Sequence, residues 1–162
     1  NLPLTVTIQS SNLVGTVYYP IDTITLSYTF TPSSITSASV TALSTVINTT
    51  TSYNFTFRSI NALTSNSKIY LILPSQITTT ASSTCSCSVA STCAFVNSTT
   101  MMVNVNSFLA VGNTEYVISI NNIVNPTTTT PSSTFSLGTY YYNTSTPTDI
   151  LTASVIFTAT AA

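Results

Sequence analysis

Few side chains in this 162-residue chain could carry out acid–base chemistry, and those few are far apart. The charged residues are Asp22, Arg58, Lys68, Glu115 and Asp149, and histidine is absent. Histidine is the usual general base at neutral pH and the commonest metal ligand. A serine or threonine nucleophile would therefore lack the base that must activate it. The composition predicts a protein that is not an enzyme and that uses no cofactor and no metal.

The charge balance also argues against a nucleic-acid partner. The formal net charge is -1, and two cationic residues cannot form the basic stripe that phosphates require. Apolar runs such as Ile69–Leu73 are far shorter than the roughly 20 residues of a membrane-spanning helix. We expect no nucleic-acid partner and no membrane span.

Three cysteines, Cys85, Cys87 and Cys93, lie close together in the sequence TCSCSVASTC. A zinc site would need a fourth ligand, and no histidine can supply it. We predict one disulfide that includes Cys93, with either Cys85 or Cys87 as its partner. Both candidates point the same way from an extended strand, so the choice stays open and one thiol is left over.

Four Asn-X-Ser/Thr sequons predict N-linked glycans, at Asn48, Asn54, Asn97 and Asn143. Proline follows Asn125 and excludes that position. The low-complexity segment NPTTTTPSS, at 125–133, could also carry O-linked glycans. The chain begins without a methionine or a leader, so we expect a mature or excised piece of an extracellular, cell-surface protein.

The elements that hold these residues are predicted to be strands. The chain has 35 threonines and 26 serines, together with many β-branched and aromatic residues. Apolar residues alternate with polar ones in ITLSYTF, at 24–30, and in SYNFTF, at 52–57, which places Asn54 on the outward side. Ile69–Leu73 is apolar throughout and predicts a central strand covered on both faces. Further strands are predicted at Leu4–Ile8, Ser39–Ile47, Met101–Val105, Tyr116–Ile120 and Ile150–Phe157. Short alternating strands separated by turns predict an all-β protein, an immunoglobulin-like antiparallel β-sandwich.

A sequence repeat suggests how such sandwiches are joined. GTVYYPIDTITLSYTFT, at 15–31, matches GTYYYNTSTPTDILTASVIFT, at 138–158, in ten of seventeen columns once residues 143–146 are omitted. If the copies are equivalent strands, residues 1–31 close a preceding module and residues 32–162 form a complete one. The chain would then be a window from a tandem array. Alternatively, the N-terminal segment is a donor strand that joins the sheet of the next subunit. The first explanation is preferred, and both predict a filament of copies of the chain.

The segment SYNFTFRSINALTSNSKIYLILPSQI, the cysteine cluster and the later NNIVNPTTTTPSSTFSLGTYYY resemble repeat modules of large secreted surface proteins of ciliates and related protists. This resemblance covers most of residues 52–158 and implies an extracellular repeat protein without assigned chemistry. Subunits of archaeal surface threads are similar in composition, and for them strand addition would apply.

Two functions follow as hypotheses. The first is a structural building block of an extracellular, glycosylated surface filament or coat. The second is an adhesin or carbohydrate-binding module, in which exposed tyrosines stack on sugars. The tyrosines concerned are Tyr18, Tyr19, Tyr140, Tyr141 and Tyr142. Strand residues with one packed face explain the same tyrosines, so the structural hypothesis is preferred.

Overall fold

A computed structural model of the chain describes residues 3–29, 31–89, 91–106, 112–141 and 147–162, with the backbone alone for residues 3–5 and 27–29. Within these ranges the protein contains β-strands and no α-helix, which confirms the all-β prediction. No described segment forms a helix long and apolar enough to cross a membrane. The chain divides into two compact units, Asn1–Pro32 and Ser33–Ala162.

The first unit is a long antiparallel hairpin of β1 (Pro3–Val14) and β2 (Val17–Thr29). Gly15 stands in the turn with φ of 64°, a left-handed conformation that glycine adopts without steric cost. The register shifts between Ser10 and Ser11, where the ribbon has a bulge. Pro20 is paired with Ser11 beside this bulge, inside β2, where proline is tolerated in a strand.

The second unit contains two sheets that share one core. In chain order its strands are β3 (Ser33–Ile35), β4 (Ala38–Ala42), β5 (Thr50–Arg58), β6 (Lys68–Ile72), β7 (Thr78–Cys87), β8 (Ser91–Phe95), β9 (Thr100–Val105), β10 (Glu115–Val124), β11 (Ser136–Tyr140) and β12 (Asp149–Leu151). One sheet has the order β4-β5-β10-β7 and the other β3-β12-β11-β6-β9-β8. Every ladder between the described strands is antiparallel except that of β12 with β3, which is parallel. The packed antiparallel sheets are those of a β-sandwich.

Alternation along the strands builds the core. Tyr53, Phe55 and Phe57 are buried on one side of β5, while Asn54 is exposed on the other, as the sequence predicts. The Phe55 ring packs against Phe135 with centroids 5.5 Å apart. Burying each such side chain stabilises the fold by about 1.5–3 kcal/mol.

The prediction for Ile69–Leu73 is half correct. The strand is β6, and it lies in the interior of its sheet between β11 and β9, as a central strand should. Ile69 and Leu71 are buried, but Ile72 is 44% exposed, so only one face is covered. A short apolar run cannot by itself distinguish one covered face from two.

The last predicted strand, Ile150–Phe157, is wrong in extent. Only Asp149–Leu151 belongs to a ladder. Beyond Leu151 the chain is no longer flanked by described sheet partners on both of its sides. Val155, Phe157 and Ala159 are nevertheless buried at alternate positions. The segment 151–160 is therefore strand-like in its side-chain pattern but lacks a neighbour along part of its length.

The two sequence copies begin in different structural settings. Gly15 lies in the hairpin turn, whereas Gly138 lies within β11, paired with Tyr70 and Ile150. At the start of the motif, the two matching sequences therefore do not form equivalent strands. From Asp22 and Asp149 onward both copies are extended over their described residues, although ladder pairing continues only in the first.

Candidate functional site

The charged residues do not converge on one site in the described part of the chain. Arg58 and Glu115 face each other across β5 and β10 and form an ion pair with a 3.0 Å N–O distance. Lys68 lies on β6 in the other sheet, and Asp22 lies in the hairpin. No described group of three or more histidine, cysteine or acidic residues could hold a metal ion. The half-exposed ion pair contributes at most about 1 kcal/mol.

Asp149 is the one fully buried charged residue described. The Asn61 side-chain amide donates to its Oδ1 at 2.7 Å, and the backbone N–H of Asn61 donates to Oδ2 at 3.4 Å. The Thr139 hydroxyl donates to Oδ2 at 2.9 Å. These donors satisfy the carboxylate and shield it from solvent. Asp149 therefore ties the loop after β5 to β11 and β12, and it is not placed to meet a substrate.

A second buried polar cluster surrounds Asn125. The Tyr53 hydroxyl donates to Asn125 Oδ1, and Asn125 Nδ2 donates to the carbonyl oxygens of Ser44 and Val46 at 2.9 and 2.7 Å. Burial raises the pKa of Tyr53 far above its ordinary value, and burial also raises the pKa of Tyr116. Both phenols therefore stay neutral. Sequence reasoning missed this cluster, although the Asn125-Pro126 pair after β10 marks its position.

The cysteines connect the two sheets. Cys85 on β7 is bonded to Cys93 on β8, and Cys87 is a free, half-buried thiol. The prediction of a disulfide that includes Cys93 is thus resolved in favour of Cys85. β7 is the edge of the four-stranded sheet and β8 the edge of the six-stranded sheet. The disulfide closes one lateral side of the sandwich.

Replacing both Cys85 and Cys93 by serine is expected to lower the free energy of unfolding by about 2–3 kcal/mol, because the crosslink closes a short loop in the unfolded chain. The matched control, Cys87→Ser, should change it by about 1 kcal/mol or less, since no crosslink is lost. Urea denaturation measures both changes. An equal loss in the two variants would show that packing, not the crosslink, stabilises this side.

The predicted glycosylation sites are accessible where they are described. Asn48, Asn54 and Asn97 are exposed, and Asn143 lies outside the described residues. The side-chain oxygens of Asn54 and Asn97 accept hydrogen bonds from Ser119 and Thr99. None of the three Nδ2 atoms donates to a described group, so the nitrogen that a glycan would occupy is available. Glycosylation itself stays a prediction.

The tyrosines proposed to stack on sugars do not share one surface in the described residues. Tyr18 and Tyr19 are exposed, but they are consecutive in β2 and so point to opposite faces of the hairpin. Tyr140 is half-buried in β11, Tyr141 is exposed, and Tyr142 lies outside the described ranges. A sugar-binding platform stays a prediction without a defined site.

The most unusual surface belongs to the hairpin. Val6 is paired with Leu26 and Ile8 with Ile24, so these four side chains lie on one face, which we call the apolar face of the hairpin. Each of the four is between 43% and 56% exposed. Over the same length, the opposite face is polar and contains Thr7, Gln9, Thr23 and Thr25. Two-stranded hairpins are marginally stable in water without a further layer. The apolar face is therefore the best candidate for a functional surface.

Comparison with known proteins adds little to this geometry. No protein-family model matches the chain. No curated protein matches it. Among solved structures, it is similar to BslA, a bacterial hydrophobin, with 19% sequence identity and a TM-score of 0.48. The match covers 78% of this chain and 100% of the hydrophobin chain. Similarity at that level supports no inference about function.

Proposed function

We propose that the chain is a structural building block of an extracellular, glycosylated surface filament or coat, that it associates with copies of itself, and that it catalyses no reaction. The observation that carries this proposal is the apolar face of the hairpin. Ten of the seventeen large hydrophobic side chains that the described structure exposes belong to the hairpin. Exposed apolar surface concentrated in one element is typical of an interaction site.

The energetics support association through this face. The four aliphatic side chains of this face are already about half buried, so covering the exposed remainder supplies about 3–6 kcal/mol, roughly half of the 1.5–3 kcal/mol that full burial of each would supply. Association costs an estimated 4–15 kcal/mol in lost translational and rotational freedom. Burial of these side chains alone therefore offsets at most the lower end of that cost. Main-chain hydrogen bonds from an added strand would tip the balance toward a stable complex.

The sequence allows two kinds of link between copies, a continuous tandem chain and strand addition between subunits. The hairpin forms a compact unit of its own, and it ends at the residue before β3. A hairpin with one uncovered apolar face is what a donor element requires. Strand addition is therefore the link that we now prefer, in place of the tandem array.

An extracellular setting is part of the proposal. The Cys85–Cys93 disulfide is of a kind that persists in oxidising compartments. The three described sequon asparagines are exposed. The chain has two cations and three anions, and one of the anions, Asp149, is buried, so the surface has few ions to keep it soluble. N-linked glycans would supply that solubility.

The test replaces two residues of the apolar face, Ile24→Thr and Leu26→Thr, in the full-length chain. Threonine is β-branched and is favoured in strands, so β2 should persist while its apolar surface is lost. We expect self-association to weaken by about 10- to 100-fold, since roughly 1.5–3 kcal/mol of burial is removed from two side chains that are already half buried. Sedimentation velocity and electron microscopy measure the result.

The matched control carries Thr23→Ser and Thr25→Ser on the opposite face of the same strand. This control should assemble as the unmodified chain does. A monomeric unmodified chain at high micromolar concentration, with no fibres under the microscope, would contradict the proposal. Equal assembly of the two variants would exclude the apolar face as its basis.

A further inference from the structure

The C-terminal segment 151–160 has one bonded side. The backbone N–H of Phe135 donates to the Val155 carbonyl at 2.9 Å, and that of Ser132 donates to the Phe157 carbonyl at 2.8 Å. These bonds attach the segment to the chain that precedes β11. Its buried side chains, among them Val155 and Phe157, face the core.

The opposite side of the segment is bonded only at its ends. Thr152 N–H donates to the Ile35 carbonyl at 3.0 Å, and Thr160 N–H donates to the Thr45 carbonyl at 2.8 Å. Hydrogen-bonding groups alternate in direction along an extended chain. The intervening residues that point the same way as Thr152 and Thr160 are Ser154, Ile156 and Thr158. None of their backbone groups has a hydrogen-bond partner among the described residues.

The path of the neighbouring chain explains this vacancy. β3 pairs with β12 and ends at Ile35. The next strand, β4, begins at Ala38 and pairs with β5 in the other sheet. The chain returns to the C-terminal segment at Thr45 and Val46, and Val46 forms a parallel bridge with Thr160. Within the part of the chain that the structure describes, the strand position beside 154–158 is thus empty, because the chain that begins there as β3 crosses to the other sheet.

We propose that this vacant position accepts strand β2 from the hairpin of a second copy of the chain. The inference rests on the proposed function, and it names the acceptor for the apolar face of the hairpin. An unpaired edge of N–H and C=O groups is a template for an added strand. On the acceptor, Ile156 is 45% exposed beside this edge.

Three properties of β2 make it the fitting occupant. The vacant stretch requires only about five residues, or roughly 17 Å of strand, and β2 provides 13. Ile24 and Leu26 repeat with the period of two that a sheet edge requires. In addition, β2 matches the acceptor in sequence, with threonine and serine at Thr25 and Ser27 as at Thr152 and Ser154. Neither partner carries charges that would oppose the approach, apart from Asp22.

The first test is Ile156→Pro in the full-length chain. Proline removes an N–H that has no described partner within the subunit, and proline is tolerated at strand edges. In the Ile24→Thr/Leu26→Thr background, where assembly does not contribute to stability, the change should therefore leave the urea midpoint unchanged. In the otherwise unmodified chain, self-association should weaken by about 100-fold or more because proline blocks the added strand. Ile156→Ala, which keeps the N–H, is the matched control and should still assemble. If Ile156→Pro does not fold, Ser154→Pro makes the same test at one end of the vacancy.

A mixing experiment then separates acceptor from donor. The Ile156→Pro variant keeps a working hairpin, and the Ile24→Thr/Leu26→Thr variant keeps a working vacancy. Each alone should be monomeric, and an equimolar mixture should form dimers that grow no further, as sedimentation velocity would show. Assembly of Ile156→Pro at the level of the unmodified chain would contradict the proposed acceptor position, and so would a mixture that stays monomeric. Neither outcome would contradict the proposed function. An unmodified chain that does not associate would overturn both.

Discussion

Replacing Asp149 by alanine is expected to lower the free energy of unfolding by about 2–4 kcal/mol, a large part of the roughly 5–15 kcal/mol that stabilises an ordinary domain. The Asp149 carboxylate is inaccessible to solvent and accepts hydrogen bonds from both nitrogens of Asn61 and from the Thr139 hydroxyl. Alanine leaves the Asn61 backbone N–H without its acceptor. It also removes one acceptor from Asn61 Nδ2 and from the Thr139 hydroxyl, which keep their weaker or shared contacts with Ser33 and Thr148. Each unsatisfied buried donor costs about 1–3 kcal/mol.

The sequence repeat supplies the matched control for this change. Asp22 occupies the corresponding position of the first copy, but it is exposed and takes only a 3.5 Å hydrogen bond from Ser10. Asp22→Ala should therefore change the free energy of unfolding by about 0.5 kcal/mol or less. Urea denaturation of both variants, made in the monomeric Ile24→Thr/Leu26→Thr background, avoids any contribution from assembly. Similar losses for the two aspartates would contradict the role assigned to the Asn61 contacts.

The two aspartates show what a sequence motif can and cannot predict. Their local sequences match, and both lie on extended chain beyond the motif's start. Their surroundings differ because Asn61, which is 88 residues distant from Asp149 in sequence, reaches only one of them. Local patterning predicts extension, whereas the burial of a polar group depends on contacts between distant segments.

Strands with alternating apolar residues could be predicted well from sequence. Tyr53, Phe55 and Phe57 in β5 show the period of two because one face is buried and the other meets solvent. β7 was missed, since it is an edge strand whose residues are threonine, serine, alanine and cysteine, and no apolar alternation marks it. The choice of Cys85 over Cys87 likewise depended on where β8 lies, which no local pattern shows.

Only the donor strand of the proposed assembly site could be predicted from the sequence. The alternating residues of β2, such as Ile24 and Leu26, indicated a strand with one apolar face. The vacancy beside 154–158 arises because the chain crosses between sheets after Ile35, and it is a property of topology. A subunit that contains its own last strand has no place for a donor unless a vacancy lies elsewhere in its sheets. The vacancy lies beside that last strand, so strand addition is compatible with the presence of the strand in the subunit.

Asn125→Ala is expected to have the second large effect, lowering the free energy of unfolding by about 3–5 kcal/mol. The change leaves the Tyr53 hydroxyl and the Ser44 carbonyl without their partner, and each such group costs about 1–3 kcal/mol. The Val46 carbonyl keeps only the 3.4 Å hydrogen bond from the Thr49 N–H. Asn121→Ala is the matched control, because Asn121 is a half-exposed asparagine of β10, the strand that precedes Asn125. That control should change the free energy of unfolding by about 0.5 kcal/mol or less.

The Asn125 change should also loosen one end of the proposed acceptor. Asn125 Nδ2 donates a hydrogen bond to the Val46 carbonyl. The next residue, Ile47, donates its backbone N–H to the Thr160 carbonyl of the C-terminal segment at 3.0 Å. Hydrogen exchange should therefore accelerate at Ile47 and Thr160 by local opening, while the amides in the middle of β5 remain protected to the level of global unfolding. Uniform acceleration across both regions would show that Asn125 stabilises the whole core and does not fix the end of the vacancy. Local acceleration, together with weakened self-association, would tie this buried amide to the geometry of the strand-accepting edge.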